Sequence, residues 1–209
     1  MTRFDLNILG CGSATPTNRH LPPCQVLNIR DNLFMIDGGE GAQLSFRRCR
    51  LKMDRLNHIF ISHLHGDHVF GIFGLLSTLS LNGKTGPLVV HTFADGKQQI
   101  ENVINYFCRE RSYDLKFNVI TTEKAVIYED DAFTVTAFPL RHGVPTVGFR
   151  FDEKPKLRHI NSKMTTFYNV PHFKMAGLRA GEDFVTDDGK TIPNHILTTA
   201  ADPCRSSAY

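Results

Sequence analysis

The sequence has no pair of cysteines at the C-x-x-C spacing that holds a metal or supports redox chemistry. Its cysteines are odd in number and widely scattered, at Cys11, Cys24, Cys49, Cys108 and Cys204. This usage best fits a protein kept in a reducing compartment. The sequence therefore predicts a cytoplasmic protein.

Long apolar runs are missing as well. The longest uncharged segment, residues 69–83, is broken by glycine, serine and threonine. It falls short of the roughly 20 apolar residues that are needed to span a bilayer. The opening, MTRFDLNILG, lacks both the apolar stretch and the small-residue cleavage site of a secretory signal. We therefore expect no membrane anchor.

The composition is that of a soluble globular protein, with 41% hydrophobic and 22% charged residues, and one domain over residues 1–209 is expected. Short apolar or β-branched runs, most of them bounded by Gly, Pro, Asn or Asp, predict eight strands. The runs are residues 6–9, 25–29, 33–36, 58–61, 88–91, 116–120, 133–137 and 147–151. Helices are expected at residues 41–49, 69–81 and 96–109. The pattern predicts a sheet-rich α/β layer architecture.

Acidic residues are absent from residues 154–180, although the chain has 21 of them against 24 Lys and Arg. Six basic residues lie in this stretch: Lys154, Lys156, Arg158, Lys163, Lys174 and Arg179. The surrounding segment, about residues 153–183, shows no sustained strand or helix period, so we expect an inserted arm. Its local charge suggests an anionic partner, and a solvated surface loop is the alternative.

The stretch SHLHGDH, residues 62–68, follows directly on the apolar run HIFI. Imidazole nitrogens and carboxylate oxygens are ligands that Zn²⁺ prefers. A loop that leaves a strand end can turn alternate side chains toward one point, so His63 and His65 are expected to hold one ion. Asp67 and His68 begin the next helix and are placed to hold a second ion. Two neighbouring metals stabilise both the attacking and the leaving oxygen of a displacement, so the loop predicts a hydrolytic metal site.

The order H-x-H-x-D-H after a buried strand resembles the signature of the metallo-β-lactamase superfamily. Within it, four stretches resemble the ribonuclease Z family: NILGCGSATPTNRH, FMIDGGEGAQ, FISHLHGDHVFGIFGLL and PLRHGVPTVGFRFDEK. His20 stands where that family has asparagine, and Gly38 where it has cysteine. The resemblance implies a metallo-β-lactamase-like αβ/βα fold, an α+β sandwich of which the chain holds the N-terminal sheet, its helices and the arm.

The resemblance also implies roles for individual residues. It gives His63, His65 and His142 to one zinc and Asp67 and His68 to the other, with Mn²⁺ as a substitute and Asp67 as proton acceptor. Asp37 follows a strand and precedes two glycines, so it is a candidate to orient a metal ligand, a turn-capping carboxylate being the alternative. The family's next aspartate and final histidine have no counterpart before the end of the chain, which indicates a C-terminally incomplete domain.

The function implied by the resemblance is zinc-dependent removal of the 3′ trailer from precursor tRNA. The products are a 3′-hydroxyl on the tRNA and a 5′-phosphate on the trailer. The basic arm is expected to contact the RNA backbone. The resemblance also implies a homodimer in which one subunit's arm serves the other's site. Two alternatives stay open: a metallo-hydrolase of small esters or thioesters, of lactonase or glyoxalase type, and a non-catalytic RNA-binding fragment.

Overall fold

The computed structural model describes residues 3–209 of the chain. Contacts between residues divide the chain into two compact units. The first comprises the described residues up to Asp130 together with 134–151 and 207–209, and the second comprises 131–133 and 152–206. The second unit contains the segment expected to be an inserted arm and continues beyond it to residue 206.

A six-stranded sheet forms the base of the first unit, in the order β1-β2-β3-β4-β5-β6. Its strands are β1 (Phe4–Gly10), β2 (Cys24–Ile29), β3 (Asn32–Ile36), β4 (Leu56–Phe60), β5 (Pro87–Thr92) and β6 (Asp114–Val119). β1, β2 and β3 are antiparallel neighbours, whereas β3 to β6 run parallel. Parallel strands bring their carboxyl ends to one edge of the sheet, which is where open α/β sheets bind ligands. The segments after β3, β4, β5 and β6 meet at that edge.

Three helices pack on this sheet: α1 (Ala42–Arg48), α2 (Gly66–Leu81) and α3 (Ala94–Phe107). α2 buries side chains at a spacing of three and four residues, which places them on one face of the helix. These residues are Val69, Ile72, Leu75, Leu76 and Leu79, and they share a core with strand residues such as Val26, Met35 and Ile59. This burial fixes the position of α2, whose first turn carries Asp67 and His68.

A second sheet has the order β14-β9-β8-β7. Its strands are β7 (Ala125–Glu129), β8 (Phe133–Pro139), β9 (Val147–Glu153) and β14 (Ser206–Ala208). Aromatic side chains join it to the first sheet: the ring of Phe60 on β4 lies 5.3 Å from that of Phe149 and 5.4 Å from that of Phe151 on β9. The two sheets therefore form a sandwich with an aromatic interface.

The second unit is built from short elements. Its strands are β10 (His159–Ile160), β11 (Phe184–Val185), β12 (Thr191–Ile192) and β13 (Thr198–Thr199), and its helices are α4 (Ser162–Phe167), α5 (Met175–Ala180) and α6 (Asn194–Leu197). β10 pairs with β13 and β11 with β12, both antiparallel. A small core of Val170, Leu178, Phe184, Ile192 and Leu197 holds the unit together. Elements this short do not establish a period in the sequence.

The α/β fold class is confirmed, and each of the eight predicted strands is present with ends that differ by at most two residues. The three predicted helices are present as well, α2 beginning three residues earlier than expected. β7 was not predicted, because its five residues directly follow Lys124 and end in Glu129 and so lack a clear apolar run. Within residues 3–209, no helix combines the length and the apolar character that crossing a bilayer requires.

Candidate metal centre

Three imidazoles converge at the carboxyl edge of the first sheet. His63 and His65 follow β4, and His142 lies in the loop between β8 and β9. Nδ1 of His65 is 3.1 Å from Nε2 of His63 and 3.4 Å from Nε2 of His142. With Zn–N bonds of about 2.0–2.1 Å, two nitrogens on a tetrahedral zinc are about 3.3 Å apart. Both distances from Nδ1 of His65 therefore fit a zinc ion, and the three ligand nitrogens all lie within 4.8 Å of one another.

The protonation state of His63 suits metal binding. Burial, together with the nearby His68, lowers the pKa of His63 to about 4. His63 is therefore neutral at pH 7, the form in which an imidazole offers a lone pair to a metal. His63 is buried while His65 and His142 are exposed, so the cluster has one anchored ligand and one side open to solvent.

Asp37 connects this cluster to His68 through Ser62. The Asp37 carboxylate accepts hydrogen bonds from the Ser62 backbone N–H and hydroxyl, both at 2.8 Å, and lies 2.7 Å from Nδ1 of His68. The Ser62 hydroxyl oxygen is also 3.0 Å from Nδ1 of His63. Because the Ser62 proton is directed to Asp37, Nδ1 of His63 donates to that oxygen. This arrangement leaves Nε2 of both histidines with a lone pair for a metal.

Asp67 and His68 lie together at the first turn of α2. Nε2 of His68 is 3.6 Å from Oδ2 of Asp67, which also accepts a hydrogen bond from the backbone N–H of Ala14 at 3.2 Å. Burial acts to lower the pKa of His68, but the hydrogen bond and charge of Asp37, with the charge of Asp67, raise it overall. An imidazole nitrogen and a carboxylate oxygen thus face a second position where a metal would be held.

The glycines of the segment DGGEG allow backbone contact with α2. A Cβ atom on Gly39 would collide with the carbonyl oxygen of Asp67, and one on Gly71 would collide with the carbonyl oxygen of Gly39. In addition, the Gly71 N–H donates to the carbonyl of Gly38 at 2.9 Å. A side chain at Gly39 or Gly71 would therefore push the N-terminal part of α2 away from the loop after β3.

The structure brings together all five residues predicted as metal ligands, and it places Asp37 against His68. Sequence reasoning missed Ser62 and the Ala14 backbone N–H. A hydroxyl residue directly before His63 was the available signal for Ser62. For Ala14 there was none, because a backbone N–H has no residue signature and the contact spans 53 residues.

His91, for which the sequence offered no metal-binding partner, forms a buried pair with His58. Nδ1 of His58 is 3.1 Å from Nε2 of His91, and Nδ1 of His91 is 3.0 Å from the side-chain nitrogen of Asn118. Burial lowers the pKa of His58 to about 4 and that of His91 to about 3. The pair is neutral at pH 7 and lies in the sandwich beside Phe34 and Phe60.

The six basic residues predicted to contact RNA lie in the second unit, in different environments. Nζ of Lys156 is 2.8 Å from the Glu153 carboxylate, and Nε of Arg158 donates to the Thr198 hydroxyl at 2.7 Å. Lys156 and Arg158 therefore hold the unit together internally, and Lys154 is half-buried. Of these six residues, the ones exposed on the surface are Lys163, Lys174 and Arg179.

Two facing sheets with flanking helices, and a histidine–aspartate loop at the carboxyl end of β4, define a protein of the metallo-β-lactamase fold. The crystal structure of the short form of human tRNase Z is similar, with a TM-score of 0.66 and 28% identity, over 72% of this chain and 66% of that one. The metallo-β-lactamase fold protein YhfI from Bacillus subtilis shares the fold, with a TM-score of 0.55 and 18% identity, over 71% of this chain and 58% of that one.

Sequence relatives identify the family. Ribonuclease Z of Bacteroides thetaiotaomicron is 49% identical over 210 residues, covering 100% of this chain and 66% of that protein. The Bacteroides fragilis protein of the same name is 48% identical and is covered to 69%. Residues 4–161 also match the family model described as anti-Pycsar protein Apyc1. The chain belongs to the ribonuclease Z family, as its motifs indicated, and its matched residues also place it in the Apyc1 family. It spans about two thirds of the length of these curated relatives.

Proposed function

We propose that the chain acts as a zinc-dependent endoribonuclease that removes the 3′ trailer from precursor tRNA. The observation that carries the proposal is the convergence of His63, His65 and His142, with nitrogens 3.1 and 3.4 Å apart, at the same sheet edge as Asp67 and His68. Membership of the ribonuclease Z family supports hydrolysis of an RNA phosphodiester bond. The similarity to tRNase Z supports tRNA as the substrate.

The donor set divides between two ions. His63, His65 and His142 would hold one zinc, and Asp67 and His68 would contribute to a second. When bound, the ions supply Lewis acidity, which acidifies water and stabilises negative charge on phosphoryl oxygens. Mn²⁺ is expected to substitute for zinc, since imidazole and carboxylate donors bind other divalent first-row metals as well.

The chain's own residues hold the reacting groups and move the proton. Asp67 accepts a proton from the attacking water, whose oxygen forms a bond to phosphorus as the bond from phosphorus to the 3′ oxygen breaks. The departing 3′ oxygen takes up a proton from solvent, so the tRNA keeps a 3′-hydroxyl and the trailer a 5′-phosphate. The Ala14 N–H fixes the rotation of the Asp67 carboxylate. Asp37 and Ser62 keep the neighbouring imidazoles in the orientation that binds a metal.

RNA binding is assigned to exposed basic residues of the second unit. Lys163, Lys174 and Arg179 project from short helices or the turn beside them, where they are accessible to a phosphate backbone. Such contacts add affinity without reading sequence. Lys156 and Arg158 contribute indirectly, by stabilising the unit that carries these side chains. Lys154 remains a candidate contact.

A cytoplasmic homodimer completes the proposal. Helices α1 and α2 pack on each other and expose Leu44 and Phe70, at 52% and 61%. Large apolar side chains on neighbouring helices are typical of surfaces that a second copy covers. All five cysteines are free, which supports a reducing compartment. Sedimentation equilibrium of Phe70→Ser and the parent chain would test the dimer, because the variant should be more monomeric.

Comparison of two substrates tests the reaction. The zinc-loaded chain should cleave a 3′-extended tRNA after the discriminator base, and it should turn over a small thioester far more slowly. Faster turnover of the thioester would favour the lactonase or glyoxalase alternative. Tight tRNA binding without turnover of either substrate would favour the RNA-binding fragment. A tRNA with a matured 3′ end serves as the control for cleavage.

A further inference from the structure

A cavity lies in the first unit beside the candidate metal centre. Its volume is about 540 Å³, and its apolar lining includes Leu64, Phe93, Val119, Val144 and Pro145. Leu64 stands between two of the predicted zinc ligands, and Val144 follows the third by two residues. Two of the loops that line the cavity therefore also carry the predicted zinc ligands.

The chemistry of the lining argues against a phosphate as the occupant. Among the described residues that line the cavity, Asp95 is the one ionisable side chain, and its carboxylate would repel an anion. Thr121 and Thr122 add hydroxyl groups. A carboxylate and hydroxyls at the rim of an apolar cavity suit a neutral group that is flat and apolar on its faces and carries N–H donors at its edge.

We infer that this cavity binds one nucleobase of the single-stranded RNA end, next to the cleaved bond. The inference rests on the proposed function, because that function places RNA at the metal centre. Unpaired bases can turn outward from the strand, and aromatic side chains stack on them regardless of base type. Phe93, half-buried at the start of α3, offers the aromatic ring, and Asp95 accepts hydrogen bonds from the edge of the base.

Tryptophan fluorescence gives a direct test, since the chain contains no tryptophan. Phe93→Trp keeps an aromatic ring in the cavity and adds a single fluorophore. Val126→Trp is the matched control, because Val126 is 57% exposed on β7 and does not line the cavity. The probes are a 3′-extended tRNA and two versions of it that lack the base on one or the other side of the cut. The protein is treated with EDTA, which removes the metal and so prevents cleavage of the RNA during the measurement.

The intact RNA should quench Phe93→Trp strongly and Val126→Trp weakly. Loss of quenching with one of the two abasic RNAs would support the inference and identify the nucleotide. Equal quenching by all three RNAs, or equal quenching of both variants, would overturn it. Strong, base-dependent quenching in a protein that does not cleave the tRNA when zinc is added would contradict the proposed function and leave the base site standing.

A double-mutant cycle, in which Phe93 and the recognised base are removed separately and together, adds a test based on RNA binding. Phe93→Ala should weaken binding of the intact RNA about tenfold, equivalent to about 1.4 kcal/mol, because the stacking of one base on the ring is lost. The same variant should bind the RNA that lacks the recognised base as tightly as the parent does. An equal loss with both RNAs, in a variant whose circular dichroism spectrum matches that of the parent, would contradict stacking on Phe93.

Discussion

Nδ1 of His68 lies 2.7 Å from the carboxylate of Asp37, and the same carboxylate accepts a hydrogen bond from the hydroxyl of Ser62. One acidic group thus orients an imidazole in each of the two candidate metal positions, one directly and one through a serine. Replacing Asp37 with asparagine removes its charge and one acceptor oxygen. Because partners of this kind contribute 10- to 100-fold to metal affinity, Asp37→Asn should weaken zinc binding by about that factor.

Competition with a zinc chelator measures this effect, with Asp31→Asn as the control because Asp31 is exposed and distant in the fold. If Asp37 served as a turn-capping carboxylate alone, thermal stability would fall and zinc affinity would stay within about twofold of the parent. That pattern would contradict the orienting role.

Ser62 is expected to set the tautomer of His63. Ser62→Ala removes the oxygen that accepts the Nδ1 proton at 3.0 Å, so the proton should redistribute between the two ring nitrogens. Nitrogen-15 NMR of the zinc-free protein reports the tautomer, and chelator competition reports the affinity. Ser62→Thr keeps the hydroxyl and should restore both. Equal spectra for His63 in the parent and Ser62→Ala would rule out this role.

The His58–His91 pair should make the protein sensitive to acid. Burial lowers both folded-state pKa values, to about 4 and about 3, whereas an unfolded histidine titrates near 6.5. As the pH falls below about 6.5, the unfolded state takes up protons that the folded state does not, so the free energy of unfolding falls. Each histidine contributes a slope of about 1.4 kcal/mol per pH unit until its folded pKa is reached.

Urea unfolding of zinc-free protein between pH 7 and pH 4 measures this slope. His58→Phe removes one titrating group while keeping a ring next to Phe34, so its slope should be smaller by about 1.4 kcal/mol per pH unit. His63 contributes equally in both proteins. Identical slopes would show that His58 is already protonated in the folded state.

The first sheet and the loop from His63 to His68 could be predicted because residues close together in the sequence determine both. Apolar runs bounded by turn residues mark strands, and four of the five predicted ligands lie within six residues of each other. His142 needed the family resemblance, since a single histidine after a strand carries no metal signal by itself. The hydrogen bonds of Asp37 to Ser62 span 25 residues and follow from the sheet topology.

The second unit was less predictable. Helices of six residues, such as α4 and α5, have fewer than two turns, so no 3.6-residue period develops. The basic residues looked equivalent in the sequence, yet Lys156 and Arg158 bind partners within the unit. Whether a basic residue is paired or exposed depends on contacts with Glu153 and Thr198. No pattern in the neighbouring sequence shows these contacts.

Glu153 is predicted to stabilise the second unit through a buried ion pair. Its side chain is 1% exposed and lies 2.7 Å from Arg205. The hydrogen bonds of Arg205, with that of Lys156, lower the pKa of Glu153 to about 2. Arg205→Met should destabilise the chain by roughly 1.5–3 kcal/mol, the range for lost hydrogen bonds to a charged group, because Arg205 is 33% exposed and Lys156 still pairs with Glu153. The exposed Arg109→Met is the control.

The pH dependence of this pair has the usual sign for a carboxylate. Its stabilisation is present above about pH 4.5 and is lost as the pH falls toward 2. Urea unfolding at pH 7 and pH 3 should therefore show a smaller difference between parent and Arg205→Met at the lower pH. A difference that does not change with pH would contradict the ion pair as its source.

Charge reversal separates RNA contacts from structural contacts in the second unit. Lys163→Glu, Lys174→Glu and Arg179→Glu should weaken tRNA binding without loss of stability, because these side chains are exposed. Each lost phosphate contact should reduce the slope of log affinity against log salt by about 0.7–0.9. Lys156→Met should instead lower stability. Unchanged tRNA binding by the triple variant would contradict the proposed RNA surface.

His63, His65 and His142 are proposed to form a zinc site at which the chain cleaves precursor tRNA. Cleavage of a 3′-extended tRNA by the parent chain and by His65→Ala, each with zinc and with EDTA, tests it most directly. A cut immediately 3′ of the discriminator base is expected from the zinc-loaded parent alone. No cut by folded, zinc-loaded protein, or a cut that persists in EDTA and in His65→Ala, would contradict it.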